Sequence, residues 1–137
     1  MFRGGMRKQI TADMLKIYKP ISGLDWMNYR IVRKSDMTAH HIHKKEHGGK
    51  LEIPNIALLL PHAHQYLNLI ECKDMGIYTD LNKIFKIVNQ QGYEPDEQQR
   101  MIIEYLLQSF EADHKEERSK KGKLLIKTEY LQRGFYQ

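Results

Sequence analysis

The segment NIALLLP, residues 55 to 61, limits the fold of this chain more than any other stretch: a short apolar run closed by a proline. Five apolar residues, Ile56 to Leu60, fall far short of the roughly 20 that a membrane-spanning helix needs, and a bounded run of this length reads as a fully buried strand. Pro61 has no N–H to give to a strand ladder, but it fits the first turn of a helix, where that donor would go unused anyway. The chain is therefore expected to leave the strand and enter a helix over PHAHQYLNLIECK. Upstream, MTAHHI (residues 37 to 42) reads as a strand end, followed by the loop HKKEHGGKLEIP, in which Gly48-Gly49 permits a tight turn. The order is strand, loop, strand, helix.

Around this unit the sequence predicts packing helices. Leu81, Ile84, Phe85 and Val88 recur at i, i+3, i+4, i+7, with Thr79 or Asp80 as the cap and Gly92 beyond the end. Ile103, Leu106, Leu107 and Phe110 repeat the spacing in a second helix opened by Pro95, Asp96 and Glu97, and the two are expected to pair. Residues 11 to 18 suggest a short helix capped by Thr11, residues 23 to 33 a strand or hairpin entry, and Trp26 a core residue. The fold class is α+β: a small ββα core at residues 37–72, packing helices at 78–113 and a basic linker and tail at 114–137, all in a single domain of 137 residues. The tail is expected to be exposed before a last short helix or tail over residues 124–133. The single cysteine, Cys72, excludes an internal disulfide and a Cys-rich zinc site, so stability must come from packing. With no long apolar run and no charged-then-apolar leader, the expected location is the cytoplasm, with no membrane partner.

Charge and histidine point to a partner. Lys and Arg number 22 against 17 acids, which favours a polyanion. Residues 1–34 carry eight Lys or Arg against Asp13 and Asp25, and residues 115–127 carry six against Glu116 and Glu117. Such runs are either solvated faces or phosphate-binding surfaces. Six of the seven histidines (His40, His41, His43, His47, His62, His64) fall within 25 residues. Imidazole is the commonest metal ligand and the side chain that titrates near neutrality, so the cluster invites both a metal and a proton-transfer reading. On the expected layout His40 and His41, adjacent on a strand, point to opposite sides, while His64 and Asn68, four apart, share a helix face.

AHHIHKKEHGG followed by PNIALLLPHAHQYLN resembles the HNH endonuclease motif, a ββα-metal core, over about a quarter of the chain. The match has several parts in order: His40-His41-Ile42, Gly48-Gly49, Asn55-Ile56, then His64. The resemblance implies that His40 is the strand-end metal ligand and His41 the general base. It implies that Asn55 fixes the loop and orients the base, and that His64 and Asn68 are the helix ligands. Many members carry His where Asn68 stands. Leu60 and Ala63 occupy positions where many carry zinc-knuckle cysteines, so this copy resembles the knuckle-free kind. His47 and His62 receive no role and are expected at the surface.

The function so implied is metal-dependent hydrolysis of DNA phosphodiester bonds with one divalent ion (Mg, Mn, Ni or Zn) and a histidine base, in a compact protein of the sort encoded by phages or mobile elements. Arg30, Arg33, Lys34, Lys120, Lys121 and Lys123 are the expected phosphate contacts. The alternative is a catalytically inactive HNH scaffold that binds DNA or a protein partner. A metal-storage or sensor site would leave Asn55 and the basic ends without a purpose.

Overall fold

A computed structural model describes residues 3–114 and 133–134, the side chains of residues 3–8 excepted. It is an α+β fold with a mainly helical C-terminal half. In chain order it runs α1 (Arg3–Ile17), β1 (Thr38–His41), β2 (Ile56–Leu59), α2 (Pro61–Lys73), α3 (Met75–Gln91) and α4 (Glu97–His114), with single 3₁₀ turns at Lys34–Asp36, Lys45–His47 and Ile53–Asn55. The strands form one antiparallel pair, Thr38 opposite Leu59 and His41 opposite Ile56. β2 is buried along its whole length, as its unbroken apolar sequence requires. Leu60, extended ahead of the proline, hands the chain to α2 at Pro61.

One buried cluster runs from Met14 and Tyr18 of α1 through Trp26, the hairpin and α2 to Leu81, Phe85 and Val88 of α3 and Ile103, Leu107 and Phe110 of α4. Trp26 is fully buried, with Phe85 tilted against it at 6.1 Å. Leu60 and Ala63 are buried in the same cluster. α3 and α4 pack against each other as their spacing predicts, with Ile84 and Leu106 half-buried at the edge.

α4 begins on a reciprocal capping box: the Gln99 amide N–H donates to the Asp96 carboxylate at 2.8 Å, and the Asp96 N–H donates to the Gln99 side-chain oxygen at 2.9 Å. α3 starts earlier than expected, because Asp74 and not Thr79 or Asp80 is the cap, accepting from the Ile77 N–H at 3.1 Å. It ends as expected at Gly92, whose φ of 123° suits a residue without Cβ. α1 is also longer than expected. Thr11 lies inside it and is buried, since nothing between residues 3 and 17 is a proline and glycine costs a helix only about 1 kcal/mol.

Of the strand or hairpin entry expected over residues 23–33, the structure shows a short hairpin turn and no extended strand. Only Leu24 and Arg30 pair, and the chain between them is a turn with Asn28 in the left-handed region at φ 70°. The cause is Asp25, fully buried, whose Oδ1 accepts from the Met27 and Tyr29 N–H groups at 2.9 Å each and so diverts donors that a ladder would need. Its Oδ2 accepts from the Leu60 N–H at 3.0 Å, tying this turn to the entry of α2. Burial pushes the Asp25 carboxyl up to about 6, and the three N–H donors and Arg100 restrain the rise. A carboxyl raised above its unfolded value of 3.8 contributes stability that is complete below that value and is lost as pH rises through about 6. The stability of the parent relative to Asp25→Asn should therefore fall by about 2 kcal/mol from pH 4 to pH 7. Urea titrations of both proteins across that range measure it; parallel pH curves would show that Asp25 is ionised throughout.

Candidate metal and nucleic-acid site

The hairpin, the loop that joins its strands and the first turns of α2 surround a cavity of about 550 Å³. His40, His41, His64 and Asn68 all line it, together with Glu71 and Tyr78. Four of the five residues named from the sequence thus share one cavity, and the fifth, Asn55, shapes the loop beside it. The side-chain oxygen of Asn55 accepts from the His43 N–H at 2.8 Å, and its amide donates to the carbonyls of His43 at 2.9 Å and Lys50 at 3.0 Å. Its own carbonyl accepts from the Ile42 N–H at 2.9 Å. Asn55 therefore fixes the backbone that immediately follows His41. Gly49 is required in the same loop, because a Cβ there would stand 1.7 Å from the His43 carbonyl oxygen.

His40 is 5% exposed. Its Nε2 lies 2.8 Å from the Asn82 side-chain oxygen, an acceptor only, so Nε2 carries the proton and Nδ1 is the lone-pair nitrogen. Burial, with further contributions from His64, His41 and Lys44, pushes its pKa down to about 3 and outweighs the opposing bond to Asn82. The ring stays neutral near pH 7, which is the ligating form. His64 sits edge-on to it, ring centres 5.5 Å apart. Its Nδ1 lies 2.9 Å from the Thr38 hydroxyl, and that hydroxyl gives its one proton to the Leu59 carbonyl at 2.8 Å. Thr38 can then only accept, so His64 is protonated on Nδ1 and its lone pair is on Nε2. Both rings have their tautomers set by a second residue, as metal-ligating histidines commonly do.

Among the described residues, no group of three or more His, Cys, Asp or Glu stands together as a ligand set. The donors the resemblance assigns, the His40 and His64 imidazoles and the exposed Asn68 amide, would suit one borderline divalent ion with open positions and not a closed structural site. His41 is half-exposed at the cavity wall. Lys44 bridges Glu46 and Glu71 there, so the fixed charges of Lys44 and Lys45 balance those of the two glutamates.

Three contributors escaped the sequence reading. Glu71 follows His64 by seven residues and Asn68 by three, a spacing that puts it on their helix face. Thr38 precedes His40 by two, on the same side of the strand. Asn82 carries no such signal, since it reaches His40 from 42 residues away.

The expected phosphate contacts fare differently. Arg30 is exposed; Arg33 pairs with Asp36 at 3.1 Å; Lys34 donates to the Tyr18 carbonyl and lies over that ring at 5.9 Å. Lys120, Lys121 and Lys123 lie outside the described residues, as do most of the tail and the short helix expected at its end. His47 is exposed as expected, whereas His62 is half-buried with its ring edge-on to Tyr29 at 4.6 Å, because its place in the first turn of α2 faces the residue 23–33 turn. Among the described residues no helix is long and apolar enough to cross a membrane. In comparison with known proteins, no family model matches this chain, and neither does any curated protein or solved structure.

Proposed function

We propose that this chain is a metal-dependent endonuclease of the HNH type that hydrolyses DNA phosphodiester bonds, acting on DNA in the cytoplasm and of the compact kind encoded by phages or mobile elements. The observation that carries the reading is that His40, His41, His64 and Asn68 meet at one cavity whose loop is pinned by Asn55. His40, His64 and Asn68 would hold one divalent ion, which when bound supplies Lewis-acid stabilisation of charge on the phosphate. His41 takes the proton of the attacking water, and Asn55 steadies it through the backbone of Ile42 and His43. Asn82 and Thr38 hold the two ligand rings in the tautomers that present a lone pair. Phe85, fully buried and edge-on to His40, keeps water from one side of its ring, and Tyr78 packs edge-on to it at the cavity wall.

The competing reading is a scaffold that binds DNA or a protein without cutting. It is favoured by the third donor being a neutral amide and not an imidazole or carboxylate. Nicking of supercoiled plasmid in Mg²⁺, Mn²⁺, Ni²⁺ or Zn²⁺, against a chelated control, separates the two. Asn68→His sharpens the comparison: a nitrogen donor should tighten Zn²⁺ or Ni²⁺ relative to Mg²⁺ by an order of magnitude, roughly 1.4 kcal/mol, and shift which ion supports nicking. Calorimetric titration with each ion checks the affinity. Equal affinities for parent and variant would mean that Asn68 does not face the ion.

A further inference from the structure

Beside the histidine cavity lies a second one of about 540 Å³, between the Gly48-Gly49 loop and α3. Asn82 is the shared wall: its side chain lines the second cavity and bonds His40, which lines the first. On α3 the residues Thr79, Asn82, Lys83 and Lys86 follow at i, i+3, i+4, i+7 and so form one polar stripe along the cavity. Lys50 reaches it from the loop opposite.

The charges of the two cavities differ. Around the histidines the fixed charges of Lys44 and Lys45 cancel against Glu46 and Glu71. Around the second cavity Lys50, Lys83 and Lys86 stand against Glu52 alone, an excess of two positive charges. These three lysines are exposed and make no ion pair among the described residues, whereas Arg33 and Lys34, expected from the sequence to meet phosphate, already have protein partners. Thr79, Asn82 and His43 add hydrogen-bonding groups at the same wall. Gly48 and Gly49 keep the loop side low, with no side chain to fill the space.

We propose that this second cavity is a phosphate-binding subsite for the DNA backbone, in which Lys50, Lys83 and Lys86 hold phosphates flanking the one positioned at the histidine cavity. The inference rests on the nuclease reading for the role of the first cavity, but the subsite is a statement about binding. Without a bound ion, the balanced side chains of the first cavity offer a polyanion little attraction of their own. The neighbouring excess supplies it, and the contiguity through Asn82 places both cavities on one strand path. Lysine point charges on a helix face recognise phosphate without reading sequence, so this subsite predicts binding that is strongly salt-dependent and weakly sequence-dependent.

The test uses the full chain with a chelator, so that no cutting intervenes, and a fluorescein-labelled 20-base-pair duplex followed by anisotropy from low to moderate salt. Lys50→Gln/Lys83→Gln/Lys86→Gln should weaken binding by tenfold or more at low salt. It should also flatten the log–log salt slope by up to about 2.7, at roughly 0.9 for each phosphate left without its lysine. Lys16→Gln/Lys19→Gln/Lys73→Gln removes the same charge from exposed lysines outside the cavity and should bind nearly as the parent does. Melting curves confirm that both variants remain folded. Parent-like binding by the first variant overturns the subsite, and so does equal weakening by both, which would leave only net charge. A parent that never nicks plasmid with any ion, while the cavity variant alone loses DNA, upholds the subsite and removes the nuclease reading. A parent that nicks while the cavity variant binds unchanged does the reverse.

Discussion

His41→Ala should nick plasmid at least two orders of magnitude more slowly than the parent while binding a divalent ion as tightly. General base catalysis is worth about 10²–10⁴-fold, and removing the base forfeits that factor without touching a ligand. The separation of roles rests on the strand: His40 is buried on the side that meets α2 and α3, where its ring faces His64, and His41 is the half-exposed neighbour at the cavity wall. His64→Ala should lose ion binding and cleavage together, because it removes one of the two imidazoles. Plasmid nicking and calorimetric ion titration on the same preparations read both quantities, with melting curves as the check on folding. A His41→Ala protein that cuts at the parental rate sinks the assignment of the base. Equal loss of ion affinity in both variants would instead make His41 a ligand and move the reacting water elsewhere.

Where local chemistry decided the outcome, the sequence could be read. Pro61 starts α2 because it lacks a donor, Gly92 ends α3 because its φ is positive, and Asp96 opens α4 because its carboxylate reaches Gln99. The candidate site was legible for the same reason: His40, His41, Asn55, His64 and Asn68 sit within 29 residues on elements whose order was plain. Competition between equally good local signals was not legible. Asp74, Thr79 and Asp80 are all acceptable caps, and it is the Asp74 carboxylate that takes the Ile77 N–H. Residues 23–33 carry strand-forming side chains, yet a single buried carboxylate folds them into a turn. Least legible of all were bonds spanning the chain: Asn82 to His40, and Arg100 to Asp25 and Asn28 across more than 70 residues. No local pattern announces a polar residue whose partner is so distant.

Arg133 is the extreme case, and its removal should give the largest loss of stability of any single change on α4's polar side. It was expected in a tail, but its side chain is 4% exposed and sits between two carboxylates of α4. Nε and Nη2 meet Glu104 at 2.9 and 2.7 Å, while Nη1 and Nη2 meet Glu111 at 2.6 and 3.0 Å, so one planar guanidinium serves both acids. Asn28 at 3.2 Å and Gln108 at 3.1 Å also donate to Glu104, and the Tyr66 hydroxyl donates to Glu111 at 2.6 Å. Burial would raise the Glu104 carboxyl, but Arg133, Asn28 and Gln108 override it and hold it below the usual range. Arg133→Ala strands two desolvated carboxylates near each other and should cost about 3–5 kcal/mol, the loss typical of breaking a buried pair from one side. Arg133→Lys should recover only part, because an ammonium cannot fork to both acids. Arg133→Met combined with Glu104→Gln and Glu111→Gln should recover most, since it removes the stranded charges and keeps acceptors for Tyr66 and Asn28. Urea midpoints rank the three. An Arg133→Ala protein within about 1 kcal/mol of the parent would mean that the two glutamates escape to water or take up protons, and that the return of the chain to α4 contributes little to holding the fold together.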